Sequence, residues 1–256
     1  MRTPFQRMRI LDTDPCGRML VLDGVTQTSE LDEFVYHEML THVPLIAHGA
    51  CKQVLIVGGG DGGILREVLK HPVERVVMVE IDADVVRQSR THLPMLSQGA
   101  FDDDRVELLF GDGAAYVRDA REKYDAVIVD SPDPVGPAQV LFSKRFYTDI
   151  QRILTHRGVT VRQAGAPMLQ GDELSSTTKR MRSVFDPVGV YVAPVPTYVG
   201  GFFSFVMGAQ TAGAFRVSGK RLEHRLRKAA LKTRYYNAEI HRACFALPNC
   251  IKELVK

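Results

Sequence analysis

The pattern of apolar and polar positions changes twice along the 256 residues of this chain. The first 28 residues hold two strand-like runs, FQRMRIL and RMLVLDG, joined by the turn-forming sequence DTDPCG. A helical apolar stripe follows in ELDEFVYHEMLTHVPL, and we expect that helix to begin at Ser29, with Asp32 at the capping-box position. This pattern predicts a short N-terminal β region, residues 1–28, followed by a larger domain, residues 29–256.

From Gln53 onward, short apolar runs alternate with amphipathic segments. Strands are predicted for QVLIVGGG, ERVVMVEID, RVELLFGDG and YDAVIVDSPDP, and helices between them for GILREVLKH, ADVVRQSRTHL and GAAYVRDAREK. FSKRFYTDIQRIL and GVTVRQAG continue the alternation, and YVAPVPTYVGGFFSFVMG predicts two further strands at an antiparallel edge. Alternating strands and helices indicate an α/β fold with a Rossmann-like, doubly wound and mainly parallel sheet.

The charge of the chain does not indicate a nucleic-acid partner, because the formal net charge is only +3. Basic residues cluster once, at 216–234. That cluster could bind an acidic partner, but few aromatic residues interleave with the charges, which favours a solvated helix face.

The composition is typical of a globular enzyme, with 45% hydrophobic and 25% charged residues. We expect a cytoplasmic protein with no membrane partner, because no run approaches the ~18 apolar residues of a membrane helix. The first residues, MRTPFQRMRI, also lack the apolar core of a signal peptide. The four cysteines form no C-x-x-C pair and are expected to be reduced structural thiols.

The stretch VLIVGGGDGGILREV contains Gly58, Gly60 and Gly63, which fit the dinucleotide fingerprint G-x-G-x-x-G. In that fingerprint the turn and the following helix N-terminus bind a pyrophosphate. Asp61 lies inside the turn, where its carboxylate would repel a pyrophosphate. The loop is therefore either a purely structural turn or a binding site for a ligand other than a phosphate.

Acidic side chains follow all four of the first predicted parallel strands. Ligands of open α/β sheets bind outside the carboxyl ends of the strands, so we expect these carboxylates to converge. Carboxylates at close quarters repel one another and need a cation. The five residues are Asp61, Glu80, Asp112, Asp130 and Asp133.

The cation is expected to be organic, because no Cys or His set has metal-ligand spacing. HEMLTH, from His37 to His42, fails the zinc motif H-E-x-x-H because its second histidine comes five residues after the first. We therefore expect an amine, a sulfonium or both. Decarboxylated S-adenosylmethionine fits this expectation, whereas the α-carboxylate of ordinary S-adenosylmethionine would be repelled by Asp61.

These motifs resemble those of spermidine synthases, the polyamine aminopropyltransferases, nearly end to end. GGGDGG followed by D-x-x-D-P-x-G-P is the specific combination, and LVLDGVTQTSELDEFVYHEM, VPTYVGG and RYYNAEIHRACFALP extend it. The resemblance implies a class I methyltransferase-like fold. It also implies transfer of an aminopropyl group from decarboxylated S-adenosylmethionine to a primary amine, usually putrescine, by a homodimer or homotetramer without a permanently bound cofactor.

The resemblance also implies roles for individual residues. Asp130 is implied as the proton acceptor and Asp61 as the ligand of the aminopropyl ammonium; both would also contact the acceptor amine. A carboxylate suits the first role because an alkyl amine, with a pKa of ~10, must lose a proton before it attacks. The implied nucleoside contacts are Gln6, Glu80, Asp112, Gly113 and Pro137. The implied residues of the amine side are Tyr36, His37, Asp133, Gln163 and Tyr198.

Alternatives remain at this point. By pattern alone, His37 is more simply a buried structural histidine, and Tyr36 and Tyr198 are core aromatics. Only five residues precede Gln6, and AGAPMLQGDE after Gln163 differs from the family pattern. Either departure could open the acceptor pocket to cadaverine, agmatine or spermidine. Two further alternatives are a methyltransferase that uses S-adenosylmethionine and a non-catalytic protein that binds nucleoside or polyamine.

Overall fold

The computed structural model describes residues 1–133 and 136–256, with the side chain of Pro137 also outside the described part. Strands and helices are numbered in chain order. The strands are β1 Met8–Thr13, β2 Gly17–Leu22, β3 Val25–Ser29, β4 Gln53–Gly58, β5 Arg75–Glu80, β6 Val106–Phe110, β7 Tyr124–Asp130, β8 Leu154–Gln163, β9 Val188–Pro194 and β10 Phe202–Ala209. The α-helices are α1 Glu33–His48, α2 Gly63–Leu69, α3 Ala83–His92, α4 Pro94–Ser97, α5 Gly113–Asp119, α6 Lys144–Ile153, α7 Gly171–Arg182, α8 Gly219–Ala229, α9 Ala238–Ala243 and α10 Asn249–Leu254.

The larger sheet has seven strands in the order β6-β5-β4-β7-β8-β10-β9. β4 pairs in parallel with β5 and β7, while β5 pairs in parallel with β6 and β7 with β8. β10 runs antiparallel to both β8 and β9. This topology confirms the predicted mainly parallel, doubly wound sheet and its antiparallel edge.

Both faces of the sheet are covered, which explains why its strands are continuous apolar runs rather than alternating ones. Val54 and Ile56 point to the face packed by α1 and α2. Leu55 and Val57 point to the opposite face, which α5 and α6 cover. All four side chains are buried. No helix in the described part of the chain is both long and apolar enough to cross a membrane.

The N-terminal residues form a three-stranded antiparallel sheet in the order β1-β2-β3. The sequence predicted only its first two strands. The predicted helix start at Ser29 is wrong, because Ser29 ends β3 and pairs with Met19 of β2. α1 begins at Glu33 instead, and the Ser29 hydroxyl donates to Asp32 Oδ1 at 2.7 Å rather than to the helix backbone. The division into domains at residues 28 and 29 stays a prediction.

The small sheet packs beside the carboxyl edge of the large one. Its buried side chains Met8, Leu20 and Leu22 contact Val85 of α3 and Leu96 of α4. Because α3 follows directly after β5, this packing places the small sheet beside the strand ends. A large cavity lies between them.

Candidate active site

The cavity has a volume of about 880 Å³. Its walls come from the carboxyl ends of β4, β5, β6 and β7, from β2 and the β2–β3 turn, and from the loops after β8 and β9. Among the described residues that line it there is no lysine, arginine or histidine. No group of three or more His, Cys, Asp or Glu within those described residues is arranged to hold a metal ion. The six carboxylates of the lining are Asp23, Asp61, Glu80, Asp112, Asp130 and Asp133.

Gly58, the last residue of β4, and Gly60, in the turn after it, allow close packing against the ends of β7 and β5. A Cβ at Gly58 would lie 1.8 Å from the backbone oxygen of Asp130, and a Cβ at Gly60 would lie 2.9 Å from Glu80 Oε2. Gly58 also has a φ of +85°, a backbone conformation that residues other than glycine rarely adopt. The turn is thus pressed against the ends of β5 and β7.

Asp61 is oriented by one hydrogen bond and one ion pair on the side away from the cavity. Its Oδ1 accepts the backbone N–H of Gly63 at 2.8 Å, and its Oδ2 lies 3.3 Å from His37 Nε2. The other ring nitrogen of His37 lies 2.5 Å from Glu33 Oε2. Burial alone would lower the pKa of His37, but the two carboxylates outweigh it and raise that pKa to about 10. His37 is therefore an imidazolium at neutral pH.

A buried row of charged side chains continues behind Glu33. Arg66 Nη2 lies 2.9 Å from Glu33 Oε2, and Arg66 Nε lies 2.8 Å from Glu67 Oε1. Lys70 pairs with Glu67 at 2.7 Å and is only partly buried. Burial opposes the charge of Glu33, yet His37 and Arg66 lower its pKa to about 2. These ion pairs therefore hold His37 in place, and His37 in turn orients Asp61.

Asp130 stands at the end of β7 and faces the cavity. The hydroxyl of Tyr36 donates to its Oδ1 at 2.6 Å. Burial and the nearby charge of Asp61 raise the pKa of Asp130 to about 6, although His37 and the Tyr36 hydrogen bond act in the opposite direction. Asp130 is therefore ionised at neutral pH but is a much stronger base than an exposed aspartate.

Glu80 ends β5 and is buried. Burial, with smaller effects of Asp82 and Asp130, raises its pKa to about 7, against the opposing effect of backbone N–H groups. One of these, Asp82 N–H, donates to Glu80 Oε1 at 2.9 Å. Near neutral pH, Glu80 can therefore take up a proton, and in its acid form it can donate a hydrogen bond.

Asp112 and Gln6 lie at the same end of the cavity as Glu80. Asp112 caps α5, and its Oδ1 accepts the N–H groups of Ala114 and Ala115 at 2.8 and 3.2 Å. Gln6 Nε2 donates to Asp82 Oδ2 at 2.9 Å. Each side chain is thus anchored on one side and lines the cavity on the other.

The opposite end of the cavity contains Asp133, Gln163 and Tyr198. Gln163 is buried; its Nε2 donates to the Ser131 carbonyl at 3.0 Å, and its Oε1 accepts Gly165 N–H at 2.8 Å. The Tyr198 hydroxyl donates to the carbonyl of Gln27, and its ring lies 5.8 Å from that of Tyr36 in an edge-on contact.

The structure brings most of the predicted site residues together. His37 is the exception in position, since it lies behind Asp61 and does not line the cavity. Pro137 belongs to the 3-10 segment Gly136–Phe142, but its side chain lies outside the described residues. Those that line the cavity are Gln6, Tyr36, Asp61, Glu80, Asp112, Gly113, Asp130, Asp133, Gln163 and Tyr198.

Other polar residues of the site were not predicted from the sequence. Asp82, which orients Gln6, follows Glu80 by two residues, so its position after a strand was an available signal. Gln170 donates to Asp133 Oδ2 at 2.8 Å, and no sequence pattern marks it. Gln27 and Ser131 line the cavity as well.

Two sequence models of protein families match the chain. One, described as "Spermine/spermidine synthase domain", matches residues 33–217, and another, "Spermidine synthase tetramerisation domain", matches residues 1–30. A polyamine aminopropyltransferase of Ruegeria sp. (strain TM1040) is 51% identical over 254 residues, which are 99% of this chain and 89% of that protein. Polyamine aminopropyltransferase 1 of Pseudomonas aeruginosa is 48% identical over 256 residues, covering 100% of this chain and 90% of that protein.

Two solved structures share the whole fold. A spermidine synthase in complex with the transition state analogue AdoDATO superimposes with a TM-score of 0.94 at 38% identity, covering 100% of this chain and 86% of that one. The spermidine synthase of Thermotoga maritima superimposes with a TM-score of 0.91 at 36% identity, covering 100% and 85% of the two chains.

Proposed function

This chain belongs to the spermine/spermidine synthase family and is a polyamine aminopropyltransferase, and we propose that it transfers the aminopropyl group of decarboxylated S-adenosylmethionine to putrescine. The products are spermidine and methylthioadenosine. The cavity lining carries the proposal, because its described residues provide six carboxylates and no basic side chain. Such a lining favours ligands whose charged groups are all positive, as they are in both proposed substrates.

We assign the adenosine part of the donor to the end of the cavity where Glu80, Asp112 and Gln6 lie. An acidic side chain about twenty residues beyond a glycine-rich turn is suited to ribose hydroxyls, and Glu80 has that spacing. Gly113 and Pro137 complete the assignment. The complex of a related spermidine synthase with a transition state analogue supports a donor site in this fold.

We assign the ammonium of the aminopropyl group to Asp61. The hydrogen bond from Gly63 and the ion pair with His37 fix its carboxylate before a ligand arrives, which reduces the ordering needed on binding. Ordinary S-adenosylmethionine would bring a second carboxylate against Asp61 and be repelled. Asp61 thereby selects the decarboxylated donor over the methyl donor of methyltransferases.

In the proposed reaction, Asp130 accepts a proton from the near ammonium of the acceptor. The nitrogen lone pair then attacks the aminopropyl carbon bound to the sulfonium. As the new C–N bond forms, the C–S bond breaks and its electron pair returns to sulfur, giving neutral methylthioadenosine. A pKa of about 6 leaves Asp130 ionised at neutral pH while improving it as a base.

The acceptor amine is proposed to lie between Asp130 and Asp133, beside Tyr36, Gln163 and Tyr198. Asp133 would bind the far ammonium while the near nitrogen attacks. Putrescine fits this two-carboxylate arrangement; cadaverine, agmatine and spermidine remain alternative acceptors. His37 would act indirectly, through Asp61, rather than by touching the amine.

A turnover assay tests the proposal. The enzyme is supplied with decarboxylated S-adenosylmethionine and each of four amines, and methylthioadenosine and the polyamine product are quantified together. We expect equimolar products and the highest kcat/KM with putrescine. A higher value with another amine would reassign the acceptor. Thermal stabilisation by ordinary rather than decarboxylated S-adenosylmethionine would overturn the donor assignment.

We further propose that the protein works as a homo-oligomer, a dimer or a tetramer. The match of residues 1–30 to a tetramerisation domain supports this. The small sheet also carries exposed apolar side chains, Leu11 and Val25, which are 41% and 54% exposed in the single chain. An interface there would cover them.

A further inference from the structure

Gln170 links two parts of the acceptor end of the cavity through the two ends of its amide. Its Nε2 donates to Asp133 Oδ2 at 2.8 Å, and its Oε1 accepts the backbone N–H of Ala166 at 2.9 Å. Asp133 lies in the loop after β7, whereas Ala166 lies in the loop between β8 and α7. One side chain therefore sets the position of one loop's carboxylate relative to the other loop.

The space for this amide exists because residue 165 is a glycine. A Cβ on Gly165 would lie 2.6 Å from Gln170 Oε1 and 2.9 Å from Gln170 Cδ. Gly165 also has a φ of +70°, and its N–H donates to Gln163 Oε1 at 2.8 Å. Gln163, Gly165 and Gln170 thus form one packed arrangement beneath the acceptor end.

Asp133 gains a hydrogen bond from Gln170 but no counter-charge. It pairs with no lysine, arginine or histidine in the part of the chain that the structure describes. A neutral amide can orient a carboxylate without cancelling its charge. The negative charge of Asp133 is consequently fixed in place and available to a cationic ligand.

We infer that Gln170 is a specificity-determining residue, which holds Asp133 where it receives the far ammonium of a four-carbon diamine. This inference rests on the proposed function, in which the near nitrogen lies at Asp130. With both carboxylates fixed, only one separation between the two nitrogens is optimal. If Asp133 could turn freely, a diamine one methylene longer would fit nearly as well, since shape alone discriminates weakly between methylenes.

The variant Gln170→Met tests this, because it keeps the length of the side chain and removes both hydrogen bonds. We expect the KM for putrescine to rise by up to about tenfold, because an Asp133 that Gln170 no longer holds must be ordered when the amine binds. The ratio of kcat/KM for putrescine to that for cadaverine should fall about tenfold. The KM for the nucleoside donor should stay within about twofold, because Asp61 and Glu80 keep their partners.

Gln151→Met is the matched control. Gln151 lies on α6, and its Nε2 donates to the Val184 carbonyl at 2.6 Å, outside the cavity lining. This variant also loses a partly buried glutamine amide, so the ratio of kcat/KM for putrescine to that for cadaverine should not change. Gly165→Ala is the complementary variant, since it retains Gln170 but places a Cβ where the amide lies; we expect the same fall in the ratio.

The inference would be overturned if a folded, active Gln170→Met enzyme kept the ratio of kcat/KM for putrescine to that for cadaverine. This includes the case in which kcat/KM falls by the same factor with both amines. Thermal melting of each variant separates loss of fold from loss of selectivity. If the unmodified enzyme transfers no aminopropyl group to any amine, the proposed function fails, and the inference fails with it.

Discussion

Replacing Tyr36 with phenylalanine removes the hydroxyl that donates to Asp130 and little else. The ring of Tyr36 packs edge-on against Tyr198 and Phe203, with centroids 5.8 and 5.7 Å apart, and phenylalanine keeps those contacts. The lost hydrogen bond is 2.6 Å long and stabilises the ionised form of Asp130. The pKa of Asp130 should therefore rise.

The expected rise can be worked from the strength of the bond. A hydrogen bond to a charged group contributes about 1.5–3 kcal/mol, and one pKa unit corresponds to about 1.4 kcal/mol, so the rise is about one to two units. Starting from about 6, the pKa of Asp130 moves to about 7–8. At pH 7 the ionised fraction then falls from about nine-tenths to between about one-half and one-tenth.

The assay is kcat/KM for the amine as a function of pH. A general base works only when ionised, so activity is lost as pH falls through its pKa, and the acid limb of the variant should lie about one to two units higher. Near pH 7 the variant should be about two- to tenfold slower, and near pH 9 it should nearly match the unmodified enzyme.

Tyr191→Phe is the control for this measurement. Tyr191 is buried, and its hydroxyl donates to the Met39 carbonyl at 3.0 Å, outside the cavity lining. The acid limb of the pH profile of Tyr191→Phe should coincide with that of the unmodified enzyme. An acid limb of Tyr36→Phe that coincides with that of the unmodified enzyme would refute the reasoning, and so would a loss of activity that is the same at every pH.

Three other predictions address the roles of single residues and the assembly. Asp130→Asn should lower kcat by ~10²-fold or more, with donor affinity measured by calorimetry much less affected; near-normal turnover would remove Asp130 as the base. Asp61→Asn should narrow the preference for decarboxylated over ordinary S-adenosylmethionine in the same calorimetry, and an unchanged preference would assign the selection elsewhere. Light scattering at micromolar concentration should show a dimer or tetramer, and a monomer alone would contradict the proposed assembly.

The strand-end carboxylates were predictable from the sequence for a topological reason. Parallel strands end at one edge of the sheet, so Asp61, Glu80, Asp112 and Asp130 had to lie near one another once the alternation of strands and helices was recognised. Local pattern also predicted the antiparallel pair β9 and β10.

Features that depend on tertiary contacts were not predictable. β3 forms because Val25–Ser29 pairs with β2, although its sequence, VTQTS, is neither strongly apolar nor alternating. The direction of His37 is set by Glu33 and Asp61, which lie on its two sides. Gln170 reaches Asp133 across 37 positions of sequence, and no periodicity reports such a contact.

The buried row of charges behind the cavity alternates strictly in sign. Its outer end is a cation and its inner end is an anion. The ammonium of a donor bound at Asp61 would therefore be the next positive member, so the ligand would complete the row instead of disturbing it. A substitution that removes or reverses one charge within the row would leave a neighbouring charge without a partner or place two like charges side by side. From the surface inward, the members are Lys70, Glu67, Arg66, Glu33, His37 and Asp61.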